Sequence, residues 1–340
     1  MSHTPSSHTE REILSQPDVW QEVLGTLDVD SLRRADEGIT DIVVTGCGST
    51  HYLAMTTAAL LRDVGRRAWA LPASELLPQA RPQLVDPKRT LLLAISRSGT
   101  TTETLRAVEH FRSMGGGRVA AITCYPQSSL AEMADVVWAA PAAAEESVAQ
   151  TRSFASMQVI ASALAGSLRG ADLAVLKALP VAASEILANS RASMAGLARE
   201  ASITSFFFLG SGPLFGIASE AMLKLKEMSL TASEAYHAME FRHGPMSMCD
   251  SSAAVIALLS RERLDLEQAV LRDIAPMGAH LVTIGSSEQI PERIPSWATP
   301  ALYLLPLQLL ALERALTKGL DPDQPRNLTA VIHLDAAGAS

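Results

Sequence analysis

Residues 42–62 read IVVTGCGSTHYLAMTTAALLR, and residues 206–226 read FFFLGSGPLFGIASEAMLKLK. Each stretch opens with a short run of β-branched or aromatic residues, passes through Gly-x-Gly and continues as a long series of helix formers. This order predicts a buried strand, a tight turn and a helix, repeated within one chain. The second copy begins 164 residues after the first (206 − 42), close to half of the 340-residue chain.

Two further pairs of segments indicate that a whole domain is duplicated. LLLAISR at 91–97 and VIALLSR at 255–261 keep the same offset, and VAAIT at 119–123 resembles HLVTIG at 280–285. Continuously apolar runs of this length are typical of strands buried on both faces of a parallel sheet covered by helices. The predicted fold class is therefore α/β, with two tandem doubly wound parallel-sheet domains related by duplication.

The same pattern divides the chain into five parts. We expect an N-terminal helical segment, a first domain that binds phosphate, a helical connector, a second domain that carries a catalytic helix, and an irregular tail. Their ranges are 1–34, 35–170, 171–200, 201–321 and 322–340.

Composition and charge argue against several classes of protein. The chain has 28 basic and 36 acidic residues, a net charge of −8, and no basic block, so a nucleic-acid partner is not expected. No basic region followed by an apolar run opens the sequence, and no membrane span is expected. The cysteines are far apart and suggest a reducing cytoplasm, with neither a disulfide framework nor a cysteine-rich zinc site. They are Cys47, Cys124 and Cys249.

The segment after the predicted strand 91–95 is rich in hydroxyl groups. It reads SRSGTTTE over 96–103 and opens a helix. Unpaired N–H groups at a helix N-terminus, a glycine that allows close approach and several hydroxyls together favour binding of a phosphate. Thr100 and Glu103 also have the spacing of a capping box, which is the simpler alternative. The equivalent segment in the second half, SRERLD at 260–265, lacks the glycine and gains a carboxylate, so we do not expect phosphate there.

Two further groups of residues are candidates for the functional site. The turn GCGST at 46–50 is either a structural turn or a second wall of a sugar-phosphate pocket, and Cys47 is either a nucleophile or a packed small residue. Dinucleotide binding is a weak alternative because the turn lacks the full Gly-x-Gly-x-x-Gly spacing. In the second half, Glu220, Lys224 and Glu227 share one helical face. They form either a solvated salt-bridge row or, with His243, an acid–base set for moving protons on a sugar carbon. His237 is a weaker candidate than His243 for the histidine of that acid–base set.

These segments resemble the sugar isomerase (SIS) double-domain family, most closely the isomerase half of glucosamine-6-phosphate synthase. The resemblance extends over about residues 35–330 and implies two flavodoxin-like SIS domains. The matching segments are GCGST at 46–50, ISRSGTT at 95–101, ESVAQTR at 146–152, SEAMLKLKE at 219–227, EAY at 234–236 with HGP at 243–245, PLQLL at 306–310 and DQPRNL at 323–328.

The resemblance implies a role for each candidate residue. Glu227 would be the base that moves a proton between C1 and C2 of a hexose 6-phosphate, and Lys224 would stabilise the enediol(amine) charge. Glu220 would orient groups nearby. His243 would open the sugar ring from the partner subunit of a homodimer. No metal or other cofactor is expected. The substrate-binding set would be Cys47, Ser49, Thr50, Ser96, Arg97, Ser98, Thr101, Val148 and Gln150.

Two departures from the synthase pattern lead to a functional expectation. The chain begins Met1-Ser2-His3, and its length leaves no room for the synthase's glutaminase domain, so an ammonia source is not expected. Ala330 stands where the synthase has the lysine that captures the ketose. Such an isomerase is expected to run towards deamination, converting glucosamine 6-phosphate to fructose 6-phosphate and ammonia. A fructosamine-6-phosphate deglycase, a plain aldose–ketose isomerase and a non-catalytic sugar-phosphate sensor remain alternatives.

Overall fold

Two separate parallel sheets form the framework of the protein in the computed structural model, which describes residues 7–78, 84, 86–287 and 289–329. The first sheet has the strand order β2-β1-β3-β4-β5, and the second has β7-β6-β8-β9. The strands are β1 (Asp41–Gly46), β2 (Arg67–Pro72), β3 (Thr90–Ile95), β4 (Arg118–Thr123), β5 (Val136–Ala139), β6 (Ser205–Gly210), β7 (Ala232–His237), β8 (Ala253–Leu258) and β9 (His280–Ile284).

Helices cover both sheets and join them. They are α1 (His8–Leu14), α2 (Gln16–Thr26), α3 (Val29–Arg33), α4 (Ser49–Asp63), α5 (Thr102–Ser113), α6 (Ser129–Met133), α7 (Arg152–Leu168), α8 (Leu179–Arg199), α9 (Pro213–Ser229), α10 (Leu264–Ile274) and α11 (Pro300–Thr317). Every strand pair is parallel, and β1, β3 and β8 are buried along their whole length. The predicted α/β class with two doubly wound parallel sheets is confirmed.

The duplication is visible in backbone geometry as well as in strand order. Gly48 begins α4 with φ 55° and ψ −125°, and Gly212 begins α9 with φ 56° and ψ −127°. L-residues other than glycine rarely adopt this conformation, so two glycines 164 positions apart make the same turn. In both sheets the chain order reverses beside the first strand, with the third strand on its other side. Ligands of open α/β sheets bind outside the carboxyl ends of the strands at such a reversal.

Helices α4 and α9, the equivalent helices of the two halves, pack against each other. Gly216 allows this approach, because a Cβ atom there would lie 2.4 Å from the Tyr52 carbonyl oxygen and 2.3 Å from Thr56 Oγ1. The Thr56 hydroxyl also donates a hydrogen bond of 2.9 Å to the Pro213 carbonyl. The contact brings the helix of the second half to the carboxyl edge of the first sheet.

The segment between the halves consists of two helices. Residues Leu173–Ala178 form a 3-10 helix, and α8 follows with Pro180 in its first turn. The sequence predicts no membrane span, but within the described residues the stretch Leu173–Arg199 is long and apolar enough to cross a membrane by length and composition. One face of α8 packs against α2 and α11, while Glu185 and Arg191 are exposed. This distribution is that of an amphipathic helix on a folded domain.

Candidate active site

A cleft of about 160 Å³ opens at the carboxyl ends of β1 and β3, where the strand order reverses. Both halves of the duplication contribute to it, since residues of α9 meet the loops of the first sheet. The lining residues are Cys47, Gly48, Ser49, Thr50, Ser96, Arg97, Ser98, Thr101, Glu103, Val148, Ala149, Gln150, Lys224, Glu227, Leu328 and Thr329.

The loop after β3 is held by its own hydroxyl groups. Ser96 Oγ lies 3.3 Å from Thr101 Oγ1 and accepts a hydrogen bond of 3.1 Å from the Gly99 N–H. Ser98 Oγ accepts from the Thr100 N–H at 3.2 Å and from the Thr100 hydroxyl at 3.0 Å. Gly99 has φ 64° and lies against Ser128, so a side chain there would collide with its neighbour. The loop therefore has one compact shape with its hydroxyls gathered at the cleft.

Helix α5 begins at this loop without a side-chain cap. Thr101 is its N-cap residue, and its hydroxyl makes no capping hydrogen bond. Thr100, the residue that would start a capping box, turns its side chain to Ser98 instead. The N–H groups of the first turn and the positive end of the helix dipole therefore face the cleft, which favours an anion there.

The turn after β1 forms the opposite wall of the cleft. Thr50 Oγ1 accepts a hydrogen bond from the Cys47 N–H and donates one to the Cys47 carbonyl, both 2.9 Å long. The Cys47 thiol lies 3.6 Å from Thr104 Oγ1, and burial raises the pKa of this thiol to about 11. The thiol is therefore protonated at neutral pH, which favours the packing interpretation of Cys47 over the nucleophile.

Arg97 is buried, and its guanidinium group points to a neighbouring loop. Its Nη1 lies 3.5 Å from Glu145 Oε2 and donates to the carbonyl oxygens of Ser147 and Val148 at 3.3 and 3.1 Å. Glu145, whose side chain is fully buried, also accepts from the Thr151 N–H and hydroxyl at 2.7 Å each. Arg97 thus joins the phosphate-loop candidate to the loop that carries Val148.

The loop over residues 145–151 forms the roof of the cleft. It places Val148 and Gln150 in the lining, as the resemblance implies for the sugar-binding residues. The Gln150 Oε1 atom is buried and has no hydrogen-bond partner within the described residues. An unpartnered buried amide oxygen carries a free-energy cost that a ligand hydroxyl would relieve.

The face of α9 with Glu220, Lys224 and Glu227 is buried, not solvated. Side-chain exposure is 0% for Glu220, 1% for Lys224 and 19% for Glu227. Lys224 Nζ donates to Glu227 Oε2 at 2.5 Å and to Ser49 Oγ at 3.1 Å, and it lies 3.4 Å from Glu220 Oε1. The bond to Ser49 crosses from the second half to the first. A solvated salt-bridge row is excluded by this burial.

Burial and proximity set the charges of this group. Burial raises the pKa of Glu220 to about 8, and the Lys224 ammonium offsets only part of that rise. Burial lowers the pKa of Lys224, but the neighbouring Glu220 and Glu227 outweigh it and raise that pKa above its ordinary value. At neutral pH the deeper carboxyl is therefore mostly protonated, and Lys224 keeps its ammonium charge at the cleft.

The two histidine candidates lie elsewhere. His243 follows a short 3-10 helix, Glu240–Arg242, is exposed, and is not among the residues that line the cleft of its own chain. His237 ends β7 and stacks on Phe215 at a centroid distance of 3.7 Å, with its pKa lowered by burial. Among the described residues of one chain, the cleft therefore holds the acid–base pair of α9 and no histidine side chain.

The structure adds residues that the predicted site did not include. Glu103, considered in the sequence only as part of a capping box, lines the cleft, and Glu145 contacts Arg97 from behind it. The sequence signal for Glu145 is the acidic pair at 145–146 within an alanine-rich segment, because a carboxylate that is fully buried there needs hydrogen-bond donors around it. Leu328 and Thr329 of the tail also reach the lining, whereas Ala330 lies outside the described residues. No group of three or more His, Cys, Asp or Glu suited to a metal occurs in the described ranges.

The equivalent position in the second half is a cavity of about 280 Å³ lined by Ser211, Ser260 and Arg261, but its serine and arginine donors are already engaged by the protein. The Ser260 N–H and hydroxyl donate to Glu267 at 2.6 and 3.1 Å. Arg261, the counterpart of Arg97, donates to four backbone carbonyls, of which the nearest is that of Ile294 at 2.7 Å. A carboxylate of the chain thus accepts from the serine whose counterpart in the first half, Ser96, lines the proposed phosphate site.

Curated relatives match most of the chain. The glutamine–fructose-6-phosphate aminotransferase (isomerizing) of Gluconobacter oxydans (strain 621H) is 31% identical over 320 residues, covering 86% of this chain and 52% of that protein. The same enzyme of Legionella pneumophila (strain Lens) is 30% identical over 315 residues, covering 87% and 52%. The chain spans about half the length of the curated relatives it matches.

Solved structures match it along nearly its whole length. Glucosamine-6-phosphate deaminase from Thermotoga maritima superposes with a TM-score of 0.86 and 28% identity, covering 96% of this chain and 100% of that chain. Tagatose-6-phosphate ketose/aldose isomerase from Escherichia coli shares the fold, with a TM-score of 0.83, 23% identity, and coverage of 99% and 100%.

The family model of the SIS domain matches the chain twice. The matched ranges are 39–167 and 201–291, and each contains all the strands of one sheet. Together they include more than half of the chain, in agreement with the resemblance of the motifs. The chain belongs to the SIS domain family.

Proposed function

We propose that this protein isomerises and deaminates an amino-hexose 6-phosphate, converting glucosamine 6-phosphate and water to fructose 6-phosphate and ammonia. The observation that carries the proposal is the Lys224–Glu227 ion pair, which α9 places in a cleft walled by the hydroxyl-rich loop of the first half. A base and a cation within reach of one anion site form the minimal set for proton transfer on a phosphosugar.

The substrate phosphate would bind at the N-terminus of α5. The hydroxyls of Ser96, Ser98 and Thr101, together with the uncapped first turn, supply neutral donors for it. Ser49 and Thr50 close the opposite wall of the cleft, and Val148 and Gln150 would contact the sugar. Arg97 would act mainly through the loop it holds, since its guanidinium donates to the carbonyls of Ser147 and Val148.

The chemistry would proceed in two steps. Glu227 takes the proton from C2 of the open-chain amino aldose and returns it to C1, while the C2 amine loses one proton, the C1 oxygen gains one, and C2 becomes an imine. Lys224 stabilises the negative charge that develops on the intermediate, and neutral Glu220 adds no second negative charge beneath it. Water then adds to the imine carbon, and the C–N bond breaks to give the ketose and ammonia.

Ring opening would come from a second copy of the chain. His243 is exposed beside Met239 and Met248, which are 36% and 66% exposed, and it lies outside the cleft of its own chain. We therefore propose a homodimer in which His243 of one protomer reaches the cleft of its partner. Mixing His243→Ala with Glu227→Gln protein would restore up to about a quarter of wild-type activity through hybrid dimers with one intact site. No recovery would contradict the shared site.

One assay tests the reaction itself. Purified protein is incubated separately with glucosamine 6-phosphate, galactosamine 6-phosphate and a fructosamine 6-phosphate, and free ammonia, free amine and hexose phosphates are measured. Ammonia with fructose 6-phosphate from the first substrate is expected. Amine release from the third substrate alone would identify a deglycase, and isomerisation without ammonia a plain isomerase. No turnover of any substrate, with binding retained, would identify a sensor.

The three cysteines indicate the cellular compartment in which this reaction would take place. Cys47, Cys124 and Cys249 are all free thiols in the structure. Free thiols persist in reducing compartments, so we place the enzyme in the cytoplasm. The phosphorylated substrate is in keeping with that location, because a phosphosugar does not cross a lipid bilayer unaided.

A further inference from the structure

A buried carboxylate on the first helix holds the roof of the cleft from outside. Glu12 of α1 is 3% exposed. Its Oε1 atom accepts hydrogen bonds from the backbone N–H groups of Glu146 at 2.6 Å and Ser147 at 3.3 Å. Its Oε2 atom accepts from the Ser147 hydroxyl. Three donors of the 145–151 loop thus end on one side chain, which lies 134 or 135 positions away from them in sequence.

The C-terminal tail joins the same helix and the same loop. The Asp323 carboxylate accepts from the N–H groups of His8 at 2.9 Å and Thr9 at 2.8 Å and from the Thr9 hydroxyl at 2.8 Å. The Asp323 carbonyl accepts from the Val148 N–H at 3.1 Å. Helix α1, the roof loop and the tail therefore form a closed ring of hydrogen bonds, and the tail continues into the cleft lining at Leu328.

We propose that Glu12 is a positioning residue for substrate binding: it fixes the roof loop so that Val148 and Gln150 face the sugar. The inference rests on the proposed function for its enzymatic part. Glu12 does not line the cleft, and its bonded partners are all on the roof loop. The reacting pair Lys224–Glu227 stands on α9, which none of these bonds touches. Loss of Glu12 should therefore weaken substrate binding far more than it slows proton transfer.

The acceptor atoms of Glu12, rather than its charge, account for this role. In Glu12→Gln the amide oxygen still accepts from the two N–H groups. The amide NH₂ can donate to the Ser147 oxygen, and the Ser147 hydroxyl can turn to the Ala149 carbonyl, which already lies 3.1 Å away. In Glu12→Ala the two N–H groups lose their acceptor and stay buried, which is the costly case.

The test compares steady-state kinetics with loop dynamics. Variants Glu12→Ala, Glu12→Gln and Glu22→Ala are assayed on glucosamine 6-phosphate, and hydrogen–deuterium exchange is followed in peptides spanning 145–151. Glu22 is an exposed acid on α2 and serves as the matched control. We expect Glu12→Ala to raise KM about tenfold or more, with kcat within about threefold and faster exchange in the loop. Glu12→Gln and Glu22→Ala should stay close to wild type.

Several results would overturn the proposal. They are an unchanged KM and unchanged loop exchange in Glu12→Ala, an equal defect in Glu12→Gln, or an equal defect in Glu22→Ala. If Glu12→Ala does not fold, Ser147→Ala, which removes one hydroxyl from the loop side, should raise KM in the same direction by about threefold. If the wild-type protein releases no ammonia, the proposed reaction fails, while the exchange data still decide whether Glu12 holds the loop.

Discussion

Burial decides the role of the helix face that carries Glu220, Lys224 and Glu227. Their spacing is equally that of a solvated ion-pair row and of a catalytic set, because spacing fixes direction around the helix but not what covers it. Contact with α4 buries Glu220 and Lys224 almost completely and leaves Glu227 partly open to the cleft. Burial, with Glu227 nearby, then favours a proton on the deeper acid and raises the pKa of Glu220, and the Lys224 ammonium offsets only part of that rise.

Replacement of the proposed base tests the chemistry at one atom. Glu227→Gln keeps the size of the side chain but cannot accept the C2 proton. We expect turnover of glucosamine 6-phosphate to fall by about 10²–10⁴-fold. Binding of the phosphosugar, measured by calorimetry, should change little, because the phosphate loop belongs to another element. Full activity of Glu227→Gln would contradict the proposed mechanism.

The pKa of Glu220 predicts how stability depends on pH. Its folded-state pKa of about 8 lies above the ordinary 4.5, so the folded protein binds more protons between these values. Stability from this group is fully present below pH 4.5 and is lost as pH rises towards 8. Glu220→Gln mimics the protonated acid and should remove that part of the decline. Thermal unfolding of both proteins from pH 5 to 9 measures it, and parallel curves would contradict the shift.

At the scale of elements, the close approach of α4 and α9 assembles the site. It explains how Lys224 of the second half reaches Ser49 of the first. The edge of the first sheet is formed by strand β5, Val136–Ala139, which precedes an alanine-rich stretch. Val136, Val137 and Trp138 have high β propensity, so local preference and pairing with β4 both favour this strand.

Two glycines in helices test the contact between α4 and α9. Gly216→Ala places a Cβ atom 2.4 Å from a backbone oxygen of α4, so we expect a loss of about 1–3 kcal/mol in unfolding free energy. Activity should fall too, because the helices must separate and carry Lys224 away from Ser49. The control is Gly196→Ala in α8, where nothing lies within 4 Å. It should stabilise the protein by about 0.5–1 kcal/mol through helix propensity. Equal effects of the two substitutions in chemical denaturation would refute the contact.

At the scale of the whole molecule, duplication produced two similar clefts that differ in their polar side chains. The first is lined by the hydroxyls of Ser96, Ser98 and Thr101, and in the second the Glu267 carboxylate accepts from Ser260. An internal carboxylate that already accepts these donors disfavours a phosphate there, although a cavity of about 280 Å³ is open beside it.

The expected stoichiometry is therefore one phosphosugar per chain. Isothermal titration with fructose 6-phosphate should give a single site, which Gly99→Ala weakens because its Cβ atom would meet Ser128 at 2.0 Å. Gly38→Ala shares the positive φ but has open space around it, and so controls for backbone strain alone. Two sites per chain in the wild-type protein would contradict the assignment of the second cleft.

The sequence by itself determined the strand–turn–helix repeat, the parallel α/β class and the hydroxyl-rich loop, because each depends on apolar runs and glycines that act over a few residues. It also placed Glu220, Lys224 and Glu227 on one face. Only the tertiary structure decided that this face is buried, that Arg97 turns to Glu145, and that Glu12 and the tail hold the roof of the cleft. These are contacts between residues far apart in sequence, and burial, which sets their energetic weight, exists only once the chain has folded.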